Sequence, residues 1–256
     1  MIQLIGIAGL PEIRVGDDLA ARAMEAMRRQ QVTLERGDVV VVTSKVVSKA
    51  EGRVVALDEV EPSALARSWA AEHGKDARQV EVVLRETRRI VRMDRGVLIA
   101  ETHHGFICAN AGVDASNAAT NGQLILLPED PDASAERLRA GLARAGGLPA
   151  TALAVVISDT FGRPWRLGQT NVAIGSAGID PIRTYSGQVD PAGYELRVTA
   201  IAVVDELAAA AELVMGKLDR VPLAIVRGYS YPPVEEGAAN PGAAALVRGA
   251  ATDLFR

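Results

Sequence analysis

Apolar, β-branched runs punctuate this chain, separated by longer segments in which apolar residues recur at helical spacing. Ile2–Ile7 and Val39–Val42 read as strands, and the four valines have no polar interruption, as in a strand buried on both faces. Ala152–Ile157 and Leu223–Val226 share that character. Leu124–Leu127 and shorter runs near Val91, Val97–Ala100 and Phe106–Cys108 are further strand candidates. Helical spacing predicts a helix over Leu19–Gln30, capped by Asp17 or Asp18, with Leu19, Ala23 and Met27 on its apolar stripe. Others are expected over Pro62–His73, from Asp132–Ser134 to Ala145 before Gly146-Gly147, and over the alanine-rich Thr199–Met215, which Gly216 stops. A glycine-rich stretch reaches from the end of the Ala152–Ile157 strand to about Gly193.

Helices and strands alternate here, but not in the steady rhythm of a doubly wound sheet, and several strands lie close enough to pair as hairpins. The expected class is α+β, with mixed, largely antiparallel sheets and flanking helices. Residues 1–230 read as one body, divisible into two intimately packed subdomains. Residues 231–256, with Pro232-Pro233 and Glu235-Glu236-Gly237, read as a C-terminal tail or arm. There is no internal repeat, and neither common glycine-rich phosphate-loop signature is present.

Composition narrows the function classes. A net charge of -4 argues against general nucleic-acid binding, which needs a basic stripe, but not against small anions met by locally gathered arginines. The single cysteine cannot form an internal disulfide, no signal-peptide pattern opens the chain, and no uncharged apolar run approaches the roughly 18 residues of a spanning helix. A cytoplasmic protein without membrane partners is expected.

The densest chemistry lies in Val155–Gln169, where an apolar run ends in Asp159, Thr160 and Gly162, followed by Arg163, Trp165 and Arg166. A second acid, Asp114, sits in the small-residue loop Ala109–Asn117, where close approach to the backbone is easy. Were Asp114 and Asp159 to meet within about 4 Å, they would repel by roughly 4 kcal/mol at an effective dielectric near 20, and a divalent cation would relieve this. Two other readings stay open: Asp114 as a turn or helix cap, and Asp159 neutralised by the arginines. Arg163 and Arg166 offer forks for phosphate or carboxylate, or else are solvated around a packed Trp165. Ser44, Lys45 and Lys49 follow the valine strand and suit an anion at a strand end. His103 and His104 invite a metal or base reading, but neighbours in a strand would point to opposite faces, and they read as an ordinary surface or loop pair. Cys108 reads as packing.

With these motifs the chain resembles the coenzyme F420-0:L-glutamate ligase family. The resemblance runs in order through Gly9–Ile13, Val41–Gly52, Ala111–Asn117, Ser158–Gln169, Val203–Ala208, Met215–Lys217 and Val226–Gly228. Together these span about residues 1–230, and the ordered set is more specific than any single block. Some relatives carry a further flavin-binding domain, for which this chain lacks the length.

The resemblance implies a ligase that uses GTP as co-substrate to join L-glutamate to F420-0, with further γ-linked glutamates left open. It implies Mg²⁺ or Mn²⁺, with K⁺ as a further ion to test, and a homodimer, to which the Thr199–Met215 helix or the C-terminal arm could contribute an interface. Leu10, Pro11, Glu12, Ile13, Ser44, Lys49 and Asn117 match its nucleotide positions, joined by Gly216 and Lys217. Asp114, Asp159 and Thr160 match its metal ligands. Chemistry suits this: the carboxylate is activated by GTP as an acyl phosphate, then attacked by the glutamate amine. Asp114, Asp159, Arg163 and Arg166 are then the catalytic set, with no histidine placed as a base. Two rivals remain: a related nucleotide-dependent ligase acting on another acceptor such as dehydro-F420-0, and a non-catalytic GTP-binding regulator.

Overall fold

The computed structural model describes residues 1–116, 122–232, 234 and 241–253. Its centre is a five-stranded sheet in the order β1-β12-β2-β8-β9, built from β1 (Gln3–Ile7), β2 (Val39–Thr43), β8 (Ala154–Arg163), β9 (Arg166–Ala177) and β12 (Leu223–Arg227). All neighbours pair antiparallel except β2 and β8, which run parallel in register from Val39↔Ala154 to Thr43↔Ser158. The class is therefore α+β, as the sequence pattern predicts.

Both faces of the sheet are covered, which is why β2 could be apolar without alternation. On one face Val40, Val42, Val155 and Ile157 pack against Ala23 and Met27 of α1 (Leu19–Arg29) and Leu138 and Leu142 of α5 (Pro131–Ala145). On the other, Val39, Val41, Ala154 and Val156 meet Val204, Leu207, Ala211 and Met215 of α6 (Val203–Met215). Asp18 caps α1 by accepting from Ala21 N. The later helices start elsewhere than their sequence signals place them. Ser63, not Pro62, precedes the helix α3 (Ala64–His73), and Asp130 caps α5 ahead of Pro131. The expected helix over Thr199–Met215 begins only at Val203, because Ala200–Ala202 forms β11 against β10 (Ile182–Thr184).

Parallel strands need a long crossover. Here it contains α2 (Ser44–Ala50), an entire second subdomain, and α5. That subdomain holds β3 (Val54–Ala56) paired with β7 (Gln123–Ile125), the meander β4 (Thr87–Asp94), β5 (Val97–Thr102) and β6 (Ile107–Ala109), and the helices α3 and α4 (Ala77–Arg85). Trp69, Val80, Val83 and Leu98 form its core. Part of the segment beyond residue 230 returns to the body. Ala243 is buried against α6's side of the sheet, and Asp132 accepts hydrogen bonds from the main-chain N–H of Ala243 and Ala244.

Candidate active site

The sheet topology brings four chain segments to one edge. β2 ends there and β8 runs on past it, while antiparallel β12 begins there beside the end of β1. The loop after β1 (residues 8–13), α2 after β2, the distal part of β8 and the loop 216–222 before β12 therefore converge at the carboxyl ends of the parallel pair. Gly216 makes the last of these loops possible. It adopts φ +60°, and a Cβ there would lie 2.0 Å from Asp219 Oδ2.

Asp159 is the central group. It lies on the α1/α5 face of β8, where the Ser44 hydroxyl donates to its Oδ1 at 3.2 Å. Burial pushes its carboxyl up to about 6, against the Thr160 main-chain N–H, the Ser44 hydroxyl and the more distant Lys217, which favour ionisation. The charge of Asp114 lies near enough to raise it further. Among the described residues no lysine or arginine forms an ion pair with Asp159, so neutralisation by Arg163 or Arg166 is not the arrangement found. The same carboxylate and, above all, burial lift the Cys108 thiol to about 12, leaving it an unreactive packing group.

Asp114 is held by an antiparallel bridge to Ile125, with hydrogen bonds of 2.8 and 3.0 Å in the two directions. Burial works against its ionisation, but the Ser116 main-chain N–H and hydroxyl and the Lys45 ammonium outweigh burial and hold its pKa low. Lys45 Nζ lies 3.1 Å from Asp114 Oδ2 and 2.5 Å from Ser116 Oγ. Lys49 pairs with Glu12 from the β1 loop, and that hydrogen bond, with Lys45 and Arg220 nearby, lowers the Glu12 pKa. Lys45, Lys49, Lys217 and Arg220 thus surround Glu12, Asp114 and Asp159. Leu10, Pro11 and Ile13 belong to the same loop as Glu12, and Ile13 is buried. Asn117 lies outside the described residues.

Two parts of the expected site stand elsewhere. Strand β8 continues to Arg163, so adjacent side chains leave on opposite faces. The Thr160 hydroxyl points away from Asp159 and donates to Asn171 Oδ1 at 2.8 Å, while Asn171 Nδ2 donates to Glu212 of α6 at 2.9 Å. Arg163 and Arg166 sit opposite each other at the tip of the β8–β9 hairpin, joined by Pro164-Trp165 with Trp165 at φ 57°. That tip is exposed, Arg163 donates to Leu167 O at 3.1 Å, and four residues of extended chain (about 13 Å) separate Arg163 from Asp159. His103 and His104 each place a ring nitrogen 2.9 Å from a main-chain carbonyl, of Arg85 and Pro128, away from the acids.

A divalent cation fits the donor set. Asp159 is a half-buried carboxylate, largely desolvated and within electrostatic reach of the Asp114 carboxylate, with a hydroxyl and a main-chain N–H bonded to it, a costly arrangement without a cation. Among the described residues no group of three or more His, Cys, Asp or Glu gathers as a metal cage. Two carboxylates with the remaining positions left to water or phosphate is the pattern Mg²⁺ favours.

The family model described as F420-0:Gamma-glutamyl ligase matches residues 8–228. A Coenzyme F420:L-glutamate ligase of Methanothermobacter thermautotrophicus is 44% identical over 257 residues, covering 100% of this chain and 99% of the relative. The proteins of the same name from Methanopyrus kandleri and Methanocaldococcus jannaschii are 45% and 37% identical, covering 96% and 100% of this chain and 94% and 97% of the relatives. Among the described residues no helix is long and apolar enough to cross a membrane.

Proposed function

This chain belongs to the F420-0:γ-glutamyl ligase family, and on that premise we propose that it joins L-glutamate to coenzyme F420-0 using GTP and Mg²⁺ or Mn²⁺. The observation that carries the reading is Asp159, desolvated, in no ion pair among the described residues and within electrostatic reach of Asp114, at a sheet edge where Lys45, Lys49, Lys217 and Arg220 gather. Cations on the rim and acids at the centre suit a nucleotide triphosphate bound together with a metal.

Asp114 and Asp159 would hold the divalent ion, which when bound supplies charge neutralisation for the γ-phosphate and the approaching carboxylate. Thr160, whose hydroxyl is engaged on the far face, would take part through its main chain, beyond the point where β2 stops pairing. Main-chain groups of Leu10–Ile13 and Gly216 would line the nucleotide. Lys49 and Lys217 would bind its phosphates, with Lys49 exchanging Glu12 for a phosphate oxygen. A carboxylate oxygen of the acceptor attacks the γ-phosphorus and GDP leaves, giving an acyl phosphate. The glutamate amine, having lost a proton, then attacks the acyl carbon, and inorganic phosphate leaves as the amide forms. The positive rim stabilises the oxyanion of that second step.

Arg163 and Arg166 remain the proposed clamp for the carboxylates of the two organic substrates. They would reach the Asp159 cluster through hairpin movement or across a homodimer. The exposure of Trp165 (83%) and Leu167 (99%) at the same tip suits burial by a second subunit.

Mass spectrometry after incubation with F420-0, GTP, glutamate and Mg²⁺ or Mn²⁺ tests reaction, acceptor and chain length together. Acceptor carboxylate labelled with ¹⁸O should pass one label to inorganic phosphate. Product formation without that transfer would exclude the acyl phosphate, and turnover with dehydro-F420-0 alone would reassign the acceptor.

A further inference from the structure

The extended segment that carries Asp114 has a second face. Because neighbours on such a segment alternate, Asp114 turns toward Lys45 while Val113 and Ala115 wall a recess in the second subdomain. The recess encloses about 70 Å³, and about 440 Å³ with its open mouth. Its interior is apolar, with Leu98 and the indole of Trp69 among its walls. At its lining stand Lys75, whose Nζ lies 5.6 Å from the centroid of the Trp69 ring, and the amides of Gln79 and Asn110. Asn110, Ala111 and Gly112, which lead into Asp114, all adopt left-handed backbone (φ 52°, 50° and 73°). Two of them are non-glycine residues, which rarely adopt that conformation without a local reason. The reaction proposed above uses none of these groups.

An aromatic plate beside an ammonium, with amides that can both donate and accept, complements one kind of ligand. A flat conjugated ring packs its edge against the indole and the apolar walls, an anionic ring oxygen meets the ammonium, and a ring edge carrying N–H and C=O pairs with amides. The enclosed volume is too small for a tricyclic system but takes its leading edge, with the rest of the ring lying in the mouth. We propose that this recess seats a flat, anionic, conjugated ring, the class to which the deazaflavin head of the acceptor belongs. The proposal rests on the acceptor assignment made above. The acyclic arm of the acceptor then crosses the Val113–Ala115 segment, placing its carboxylate on the Asp114 side. Ring recognition and chemistry would share one short stretch of backbone.

Lys75 is exposed, so its replacement leaves the fold intact. In equilibrium dialysis without GTP or glutamate, the deazaflavin nucleoside lacking the phospholactyl arm should bind the wild type. Lys75→Ala should weaken that binding, and raise KM for F420-0, by about tenfold, with Gln79→Ala having a smaller effect. KM for GTP and for glutamate should stay within about twofold, and Lys75→Arg should restore most of the loss. Normal glutamylation with an F420-0 KM unmoved by both alanine variants would overturn the recess as the ring site. So would a Lys75→Ala effect on F420-0 that is absent with the armless ring, since Lys75 would then be meeting the phosphate. A protein that binds the armless ring through Lys75 yet glutamylates no acceptor would sink the ligase reading and uphold the recess.

Discussion

Two aspartates sit at opposite ends of the same parallel strand pair, and they are treated very differently. Asp38, just before β2, is fully buried and receives both Nε and Nη2 of Arg227 at 2.9 and 2.8 Å, with the Glu35 main-chain N–H at 2.8 Å. Arg227 also donates to Glu35 and to Thr33 O, so the network closes on itself and staples β12 to the approach to β2. Asp159, at the other end, has a hydroxyl and a main-chain N–H, and its carboxyl is pushed up to about 6. The first acid is satisfied within the chain and is structural. The second has no arginine or lysine paired with it among the described residues, the kind of unrelieved acid that marks candidate functional sites.

The largest effect that separates them is on turnover. Asp159→Asn should lower kcat by roughly 10³-fold while leaving the circular dichroism spectrum unchanged. Full turnover in this variant would remove Asp159 from the chemistry. Asp38→Ala should do the reverse, costing about 3 kcal/mol in urea unfolding with kcat of the folded fraction nearly unchanged. That value sits at the low end for a broken buried pair, because Arg227 is partly exposed and keeps Glu35.

The pH dependence sharpens the contrast. The folded pKa of Asp159 lies above its unfolded value, so its protonated form favours the fold below about pH 4, and that contribution is lost as pH rises toward about 6. Without metal, the loss amounts to about 3 kcal/mol. Asp159→Asn should therefore match the wild type near pH 4 and exceed it near pH 7. Parallel stability curves for the two proteins would contradict this, and saturating Mn²⁺ should narrow the gap in the wild type's favour.

Smaller effects probe the rim and the far face. Lys49→Ala should raise KM for GTP by about tenfold with little change in KM for glutamate. An unchanged GTP KM would mean that Lys49 serves only Glu12. Thr160→Val should cost about 1 kcal/mol of stability by orphaning Asn171, and should weaken Mn²⁺ binding less than threefold. A far larger loss of Mn²⁺ affinity would show that the hydroxyl turns toward Asp159 after all.

The chain alone disclosed the elements whose local pattern matches their surroundings. Val39–Val42 and Val155–Ile157 are apolar because helices cover both faces, and Asp18 caps α1 where the pattern places a cap. Strand β4 was hard to recognise in full because Arg88–Arg92 lie exposed on a hairpin with two irregularities of register, so no buried face imposes alternation. The α4 helix, capped by Asp76, is only nine residues long, too short for its helical spacing to stand out in the sequence. Sequence pattern places Thr160 with Asp159 because the apolar run stops at Ile157, whereas pairing with β9 carries β8 on to Arg163.

By itself the sequence determined the fold class, the family and the inventory of chemical groups, because periodicity, caps and ordered motifs are properties of the chain. Tertiary structure alone decided which groups meet. Asp114 and Asp159 are forty-five positions apart in the sequence, and only the crossover that returns β8 beside β2 brings their charges within reach of each other. Whether a buried acid is a staple or a site depends on what surrounds it in space. Asp38 found its arginine on β12, whereas Asp159 is bonded by a hydroxyl and a main-chain N–H, with Lys217 and another acid acting on it from farther off.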